Sequence, residues 1–131
     1  MIVVDASVVV DLVLDRGSNS RGFWSSLAAG QPLAAPHLLD AEVGHALRRA
    51  VLRGLLPASM ALSALDDLAR LELTRHPHMA LLPRAFKLRD NATMYDALYL
   101  ALAEFLGATL VTRDQSLAQI PGLKAEVQVI R

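Results

Sequence analysis

Four acidic residues, far apart in the chain, sit where they could do chemistry. Asp5 ends the β-branched run Ile2-Val3-Val4, and Glu42 falls early in the helical stretch after Pro36. Asp96 opens an apolar segment that closes at Gly107, and Asp114 follows Thr109-Leu110-Val111-Thr112. Each has an ordinary structural role open to it. Asp5 suits a turn or a cap, although Ser7 could cap the same helix. Asp96 fits a capping box with Thr93, Asp114 could cap a short helix containing Leu117, and Glu42 could be a solvated residue beside an apolar stripe. Their joint placement is harder to explain structurally, because clustered carboxylates repel and raise one another's pKa. A hard divalent cation reverses that cost, and an oxygen-only donor set suits Mg²⁺ or Mn²⁺. Such an ion acidifies a water, orients it and neutralises charge on a phosphate. The chemistry these residues point to is metal-dependent phosphodiester hydrolysis.

Whether they meet depends on the elements that carry them. Ile2–Val4 reads as a short buried strand and Ser7 to Leu14 as a helix stopped by Gly17. A second helix is expected from Asn19 to Ala29, and a weak strand from Pro32 to Ala35. Leu39, Val43, Ala46, Leu47, Ala50 and Val51 fall at helical spacing between His37 and Arg53, before Gly54. Pro57 opens a further helix to about Leu71, and Glu72 to Arg75 reads as a strand. A helix from Pro77 to Leu88 should kink at Pro83. Thr93 to Leu106 is a strongly apolar helix, followed by strands at Thr109–Thr112 and Val127–Ile130. Strands separated by helices imply parallel pairing with right-handed crossovers. The expected class is α/β, three layers, with a small central parallel sheet flanked by helices in one domain over residues 1–131. In that topology helix N-termini gather at the carboxyl edge of the sheet, where open α/β sheets bind ligands. All four acidic residues map to that edge.

Composition narrows the alternatives. The chain has 131 residues, 13 basic against 13 acidic side chains, no cysteine and a 53% hydrophobic fraction. A domain of this length needs neither disulfides nor a structural metal, and the missing cysteines exclude a thiolate nucleophile and the common zinc ribbons. Asp5 and Asp11 break the N-terminal apolar run well short of the ~18 residues of a membrane span, and no basic region precedes it. The expectation is a soluble cytoplasmic protein without a membrane partner. Balanced charge means that nucleic-acid contact would come from a local patch. Arg48, Arg49 and Arg53 are candidates, with Arg84, Lys87 and Arg89 as a second patch and solvated helix faces as the plainer alternative. Asp40 lies about 200° around the helix from Glu42, so the two cannot face one ion. Glu104 reads as a solvated residue and His76-Pro77-His78 as a surface turn.

Four segments, in order and covering essentially the whole chain, resemble a PIN domain, and more closely the VapC toxins of bacterial VapBC toxin–antitoxin pairs. They are Ile2-Val3-Val4-Asp5-Ala6-Ser7, Pro36-His37-Leu38-Leu39-Asp40-Ala41-Glu42, Tyr95-Asp96-Ala97-Leu98-Tyr99-Leu100-Ala101-Leu102-Ala103 and Leu110-Val111-Thr112-Arg113-Asp114. The resemblance implies an Mg²⁺- or Mn²⁺-dependent endoribonuclease toxin with Asp5, Glu42, Asp96 and Asp114 as its acidic quartet, leaving a 3′ hydroxyl and a 5′ phosphate. It also implies inhibition by a VapB-type antitoxin whose C-terminal tail lies in a groove and sends a basic side chain to the site, and assembly as a homodimer or a toxin–antitoxin hetero-oligomer. Ser116 stands where many PIN domains carry a further acidic or amide residue, so a second metal site is in doubt. Ser7, Thr112 and Ser116 could act through a metal-held water. A PIN nuclease without an antitoxin remains the nearest alternative. A receiver domain would want a carboxylate pair after the first strand, and a haloacid-dehalogenase-type phosphatase an aspartate where Ser7 stands. A non-catalytic interaction module would show no metal-linked gain in stability.

Overall fold

The β-branched run at the N-terminus becomes the middle strand of a five-stranded sheet. The computed structural model of the chain describes residues 1–14 and 30–130. The helix expected from Asn19 to Ala29, and its preceding stop at Gly17, lie outside the described residues. The strands are β1 (Ile2–Val4), β2 (Leu33–Pro36), β3 (Leu73–His76), β4 (Thr109–Thr112) and β5 (Val127–Val129), all parallel in the order β3-β2-β1-β4-β5. Val3 pairs with Ala34 on one side and Leu110 on the other. β1 is buried along its whole length, as its continuous apolar sequence requires of a strand covered on both faces.

The helices are α1 (Ala6–Leu14), α2 (Leu38–Leu52), α3 (Ala58–Arg70), α4 (Leu82–Lys87) and α5 (Met94–Leu106). Right-handed crossovers place α1, α2 and α3 on one face, where they pack on one another, and α4 and α5 on the other. The expected three-layer α/β architecture is the one observed. In α5, Ala97 through Ala103 are all buried, because the helix lies between the sheet and α4. Thr93 caps it by accepting a hydrogen bond from the Asp96 N–H at 3.1 Å, and Gly107 closes it in the left-handed conformation at φ 62°. No helix among the described residues is long and apolar enough to cross a membrane.

Several local expectations shift. β2 runs to Pro36 rather than stopping at Ala35. A proline is tolerated as the last strand residue because the next N–H, that of His37, bonds the His76 carbonyl at 2.9 Å. β3 begins and ends one residue later than expected, with Arg75 opposite Ala35. Pro83 does not kink a long helix. A 3₁₀ turn over Met79–Leu81 leads into α4, and Pro83 sits in the first turn of α4, where its missing N–H costs nothing.

Candidate active site

Strand register fixes the centre of the site. Val4 pairs with Val111, so the next residues, Asp5 and Thr112, face each other where β1 and β4 end. The Thr112 hydroxyl donates to Asp5 Oδ2. Asp5 Oδ1 accepts from the Ser7 hydroxyl at 2.6 Å and from the Val8 N–H at 3.2 Å. The second of these bonds makes Asp5 the N-cap of α1, which corrects the expectation that Ser7 caps it. Ser7 lies inside the helix instead, and its hydroxyl oxygen accepts from the Arg113 N–H at 3.2 Å. Thr112 also accepts from the Asp114 N–H at 3.0 Å, so one buried hydroxyl ties the two aspartates together. Asp114 Oδ1 accepts from the Ser116 N–H at 2.9 Å and hydroxyl at 2.6 Å, capping a 3₁₀ turn over Gln115–Gln119.

Glu42 and Asp96 complete the group from opposite faces of the sheet. Burial raises the Asp5 carboxyl above its ordinary range, against the hydrogen bonds of Ser7, Thr112 and Val8. Burial also raises Glu42, with further contributions from Asp96 and Asp5. Asp96 is raised by burial, then by Asp114 and by Asp5. The four expected carboxylates are therefore near enough to feel one another, and none forms an ion pair with another described residue. Among the described residues, no three His, Cys, Asp or Glu side chains are placed closely enough to hold a metal ion between them. The donor chemistry still fits a hard cation: the donors are carboxylate and hydroxyl oxygens, and their charges repel until something neutralises them.

Two contacts were missed by sequence reasoning. The Tyr99 hydroxyl, on α5, donates to Glu42 Oε1 at 2.7 Å across the carboxyl edge. Burial, then the hydrogen bond to Glu42, holds this phenol protonated. A tyrosine within an otherwise apolar buried helix needs an acceptor for its hydroxyl, which was the available signal. Arg113 pairs with Asp11 of α1, fastening the segment before Asp114 to the helix that Asp5 caps. A carboxylate in the apolar run of α1 likewise signalled a buried partner.

The arginines divide. Arg49 lines a groove of about 710 Å³ beside the acidic edge, together with Ser7, Val10, Glu42, His45 and Tyr95. Arg48 on α2 and Arg53 just past its end are exposed and do not line it. The second candidate patch is corrected, because Arg84 is committed to Glu104 at 2.7 and 2.9 Å and to the Gly122 carbonyl at 2.8 Å. Glu104 is accordingly not a solvated residue. Asp40 points away from Glu42 and accepts two bonds from Arg75, at 2.6 and 2.9 Å. In the His76-Pro77-His78 segment, His78 Nε2 accepts from the Leu38 N–H at 3.0 Å, at the start of α2.

The PIN domain family model matches residues 2–123. A relative called Ribonuclease VapC1, from Mycobacterium tuberculosis, is 46% identical over 98% of this chain and 97% of that protein. Ribonuclease VapC9 from the same organism is 38% identical over 99% and 98% respectively. The chain also resembles a crystal structure of VapBC2 from Rickettsia felis bound to a DNA fragment from its promoter. There the TM-score is 0.74 at 18% identity, with 100% of both chains covered, a likeness of fold.

Proposed function

The chain belongs to the PIN domain family, with the VapC ribonucleases as close relatives, and from that premise we propose that it is a cytoplasmic endoribonuclease toxin, dependent on Mg²⁺ or Mn²⁺ and neutralised by a VapB-type antitoxin. One observation carries the catalytic part: carboxylates from four separate segments lie at one sheet edge, where burial and then Asp96 and Asp5 raise the Glu42 carboxyl, and burial and then Asp114 and Asp5 raise that of Asp96.

Asp5, Asp96 and Asp114 are the residues that would hold the ion, and Glu42 completes the set or orients the attacking water as a general base. When bound, the ion supplies neutralisation of the scissile phosphate and a more acidic water. The chain's own residues do the rest. Thr112 and Ser7 fix both oxygens of Asp5, and Ser116 fixes Asp114. Tyr99 holds Oε1 of Glu42, so the other oxygen is the one able to take a proton from water. Burial raises the pKa of Glu42, which makes it the better base. Arg49, in the groove, is placed to hold an RNA phosphate, with Arg48 and Arg53 outside it.

The groove also supports the antitoxin reading, since a peptide tail lying in it would bring a basic side chain to Glu42 and Ser7. Exposed Leu52, Leu55 and Leu62, and separately Met79, Phe86 and Phe105, give apolar surface for a second copy or for the antitoxin. The test is cleavage of total RNA in Mg²⁺ by the parent, Asp5→Asn and Asp96→Asn proteins. The parent should cut and gain thermal stability with metal, and both variants should lose cutting. Variants that cut as fast as the parent overturn the assignment. Co-expression with a cognate VapB-type antitoxin should give a complex in which cutting stops.

A further inference from the structure

Tyr95 is a large aromatic side chain left 61% exposed, immediately before Asp96 at the start of α5. It is not surplus core. Its ring lines the groove that begins at Glu42 and Ser7, and the facing wall is α2 with His45 and Arg49. Glu42 and Arg49 are seven residues apart, two turns along one face of the helix, which is about 10 Å. A strand whose scissile phosphate lies at the acidic edge therefore meets Arg49 at a different phosphate. The nucleotide between them passes beside Tyr95. The groove, of about 710 Å³ and open to solvent along one side, has the size of a small-ligand cleft and is adequate for an unstacked nucleotide.

Resting on the nuclease reading above, we infer that Tyr95 is a stacking platform for an unpaired nucleobase next to the scissile phosphate, with Arg49 gripping the neighbouring phosphate. Stacking on an aromatic ring is the common way that proteins hold single-stranded RNA, and it tolerates sequence because every base has a π-face. The occupant is RNA because the groove is continuous with the acidic edge at one end, carries a guanidinium further along, and between them offers an apolar lining of Val10, Leu38 and Ala46 on which a base can pack. Tyr95 thus selects unpaired RNA, and it acts in binding rather than in bond breaking.

The test uses a short single-stranded RNA of mixed sequence carrying 2-aminopurine, together with the same sequence in a duplex. Binding is read in Ca²⁺ and steady-state cleavage in Mg²⁺ for the parent, Tyr95→Ala, Tyr95→Phe, Tyr95→Trp and Arg49→Ala proteins. The parent should quench 2-aminopurine in the single strand and not in the duplex. Tyr95→Ala should raise KM about tenfold, within the range measured for losing one stacked base, with a smaller fall in kcat and no loss of thermal stability. Tyr95→Phe and Tyr95→Trp should restore KM and quenching, which a purely structural role for the hydroxyl would not. Arg49→Ala should lower the slope of log K against log salt by about one. If Tyr95→Ala matches the parent in KM and quenching while the parent cuts RNA, the platform is wrong and the nuclease reading stands. If Tyr95→Ala loses antitoxin affinity alone, the groove is a peptide site and the inference falls. If the parent neither binds nor cuts RNA, the underlying functional reading fails instead.

Discussion

Thr112→Val tests the join at the centre of the site. Thr112 is fully buried, and its hydroxyl both donates to Asp5 Oδ2 and accepts the Asp114 N–H. Valine keeps the β-branched shape and deletes both bonds. A hydrogen bond to a charged group contributes about 1.5–3 kcal/mol, and water at the exposed Asp114 replaces part of the second bond, so the expected loss is about 2–3 kcal/mol. For a chain of this length that lowers Tm by about 10 °C. The pH dependence follows from Asp5. Burial outweighs its hydrogen bonds, so its folded pKa stands above the unfolded one. A carboxyl raised in this way favours the native state when protonated. Its contribution is fully present below the unfolded pKa and is lost as pH rises through the folded pKa. Removing the Thr112 bond raises that folded pKa further, so the variant's deficit grows with pH, by about 1.4 kcal/mol for each further unit. Urea unfolding in EDTA, near pH 4 and again near pH 8, measures both quantities. A deficit under about 0.5 kcal/mol, or one larger at pH 4 than at pH 8, would refute the account.

Three other outcomes are expected. Asp96→Asn mimics the protonated state that burial, Asp114 and Asp5 already favour, so the metal-free protein should gain up to about 1 kcal/mol at neutral pH while its metal-linked thermal shift shrinks; calorimetry with EDTA and with Mn²⁺ decides. Tyr99→Phe keeps the buried ring and frees Glu42, so kcat should fall about tenfold with little change in the KM for RNA, read from steady-state cleavage. Arg84→Ala leaves Glu104, whose side chain is 9% exposed, with the Lys124 N–H as its remaining donor, and should cost about 1–3 kcal/mol in urea unfolding while leaving the salt slope of RNA binding unchanged.

The sheet and its helices were legible because their signals are local. β-branched runs marked β1 and β4, and Thr93 with Gly107 bracketed α5 at both ends. The acidic edge followed from topology alone, since parallel order sends strand ends and helix starts to the same side. Side-chain partnerships across the sheet were not legible. Tyr99 meets Glu42 at a separation of 57 residues and Arg113 meets Asp11 at 102, and no short-range pattern encodes either distance. Arg84 reads like any surface arginine until α4 is laid against α5 and the Gly122 turn. The cap of α1 was ambiguous for a different reason. Asp5 and Ser7 are both good caps, and only the register between β1 and β4, which lays Thr112 beside Asp5, decides between them.

That same topology makes the acidic cluster tolerable before any cation arrives. Helix N-termini carry partial positive charge, and an anion in the first turn gains about 0.3–1 kcal/mol from it. Asp5 caps α1, Asp96 lies in the first turn of α5, and Asp114 caps the 3₁₀ turn that follows β4. Asp5 and Asp114 thus accept from N–H groups that would otherwise lack partners, Asp96 lies within the first turn of its helix, and these gains offset part of the mutual repulsion. Glu42 is the exception. It is the fifth residue of α2, past the first turn, where the acidic residue is Asp40 and is already paired with Arg75. Glu42 is also the carboxylate that receives a phenol donor, Tyr99, from the opposite layer. Tyr99 supplies to Glu42 what the helix starts supply to the other three, and this explains why a hydroxyl is worth keeping in a helix that is buried from Ala97 to Ala103.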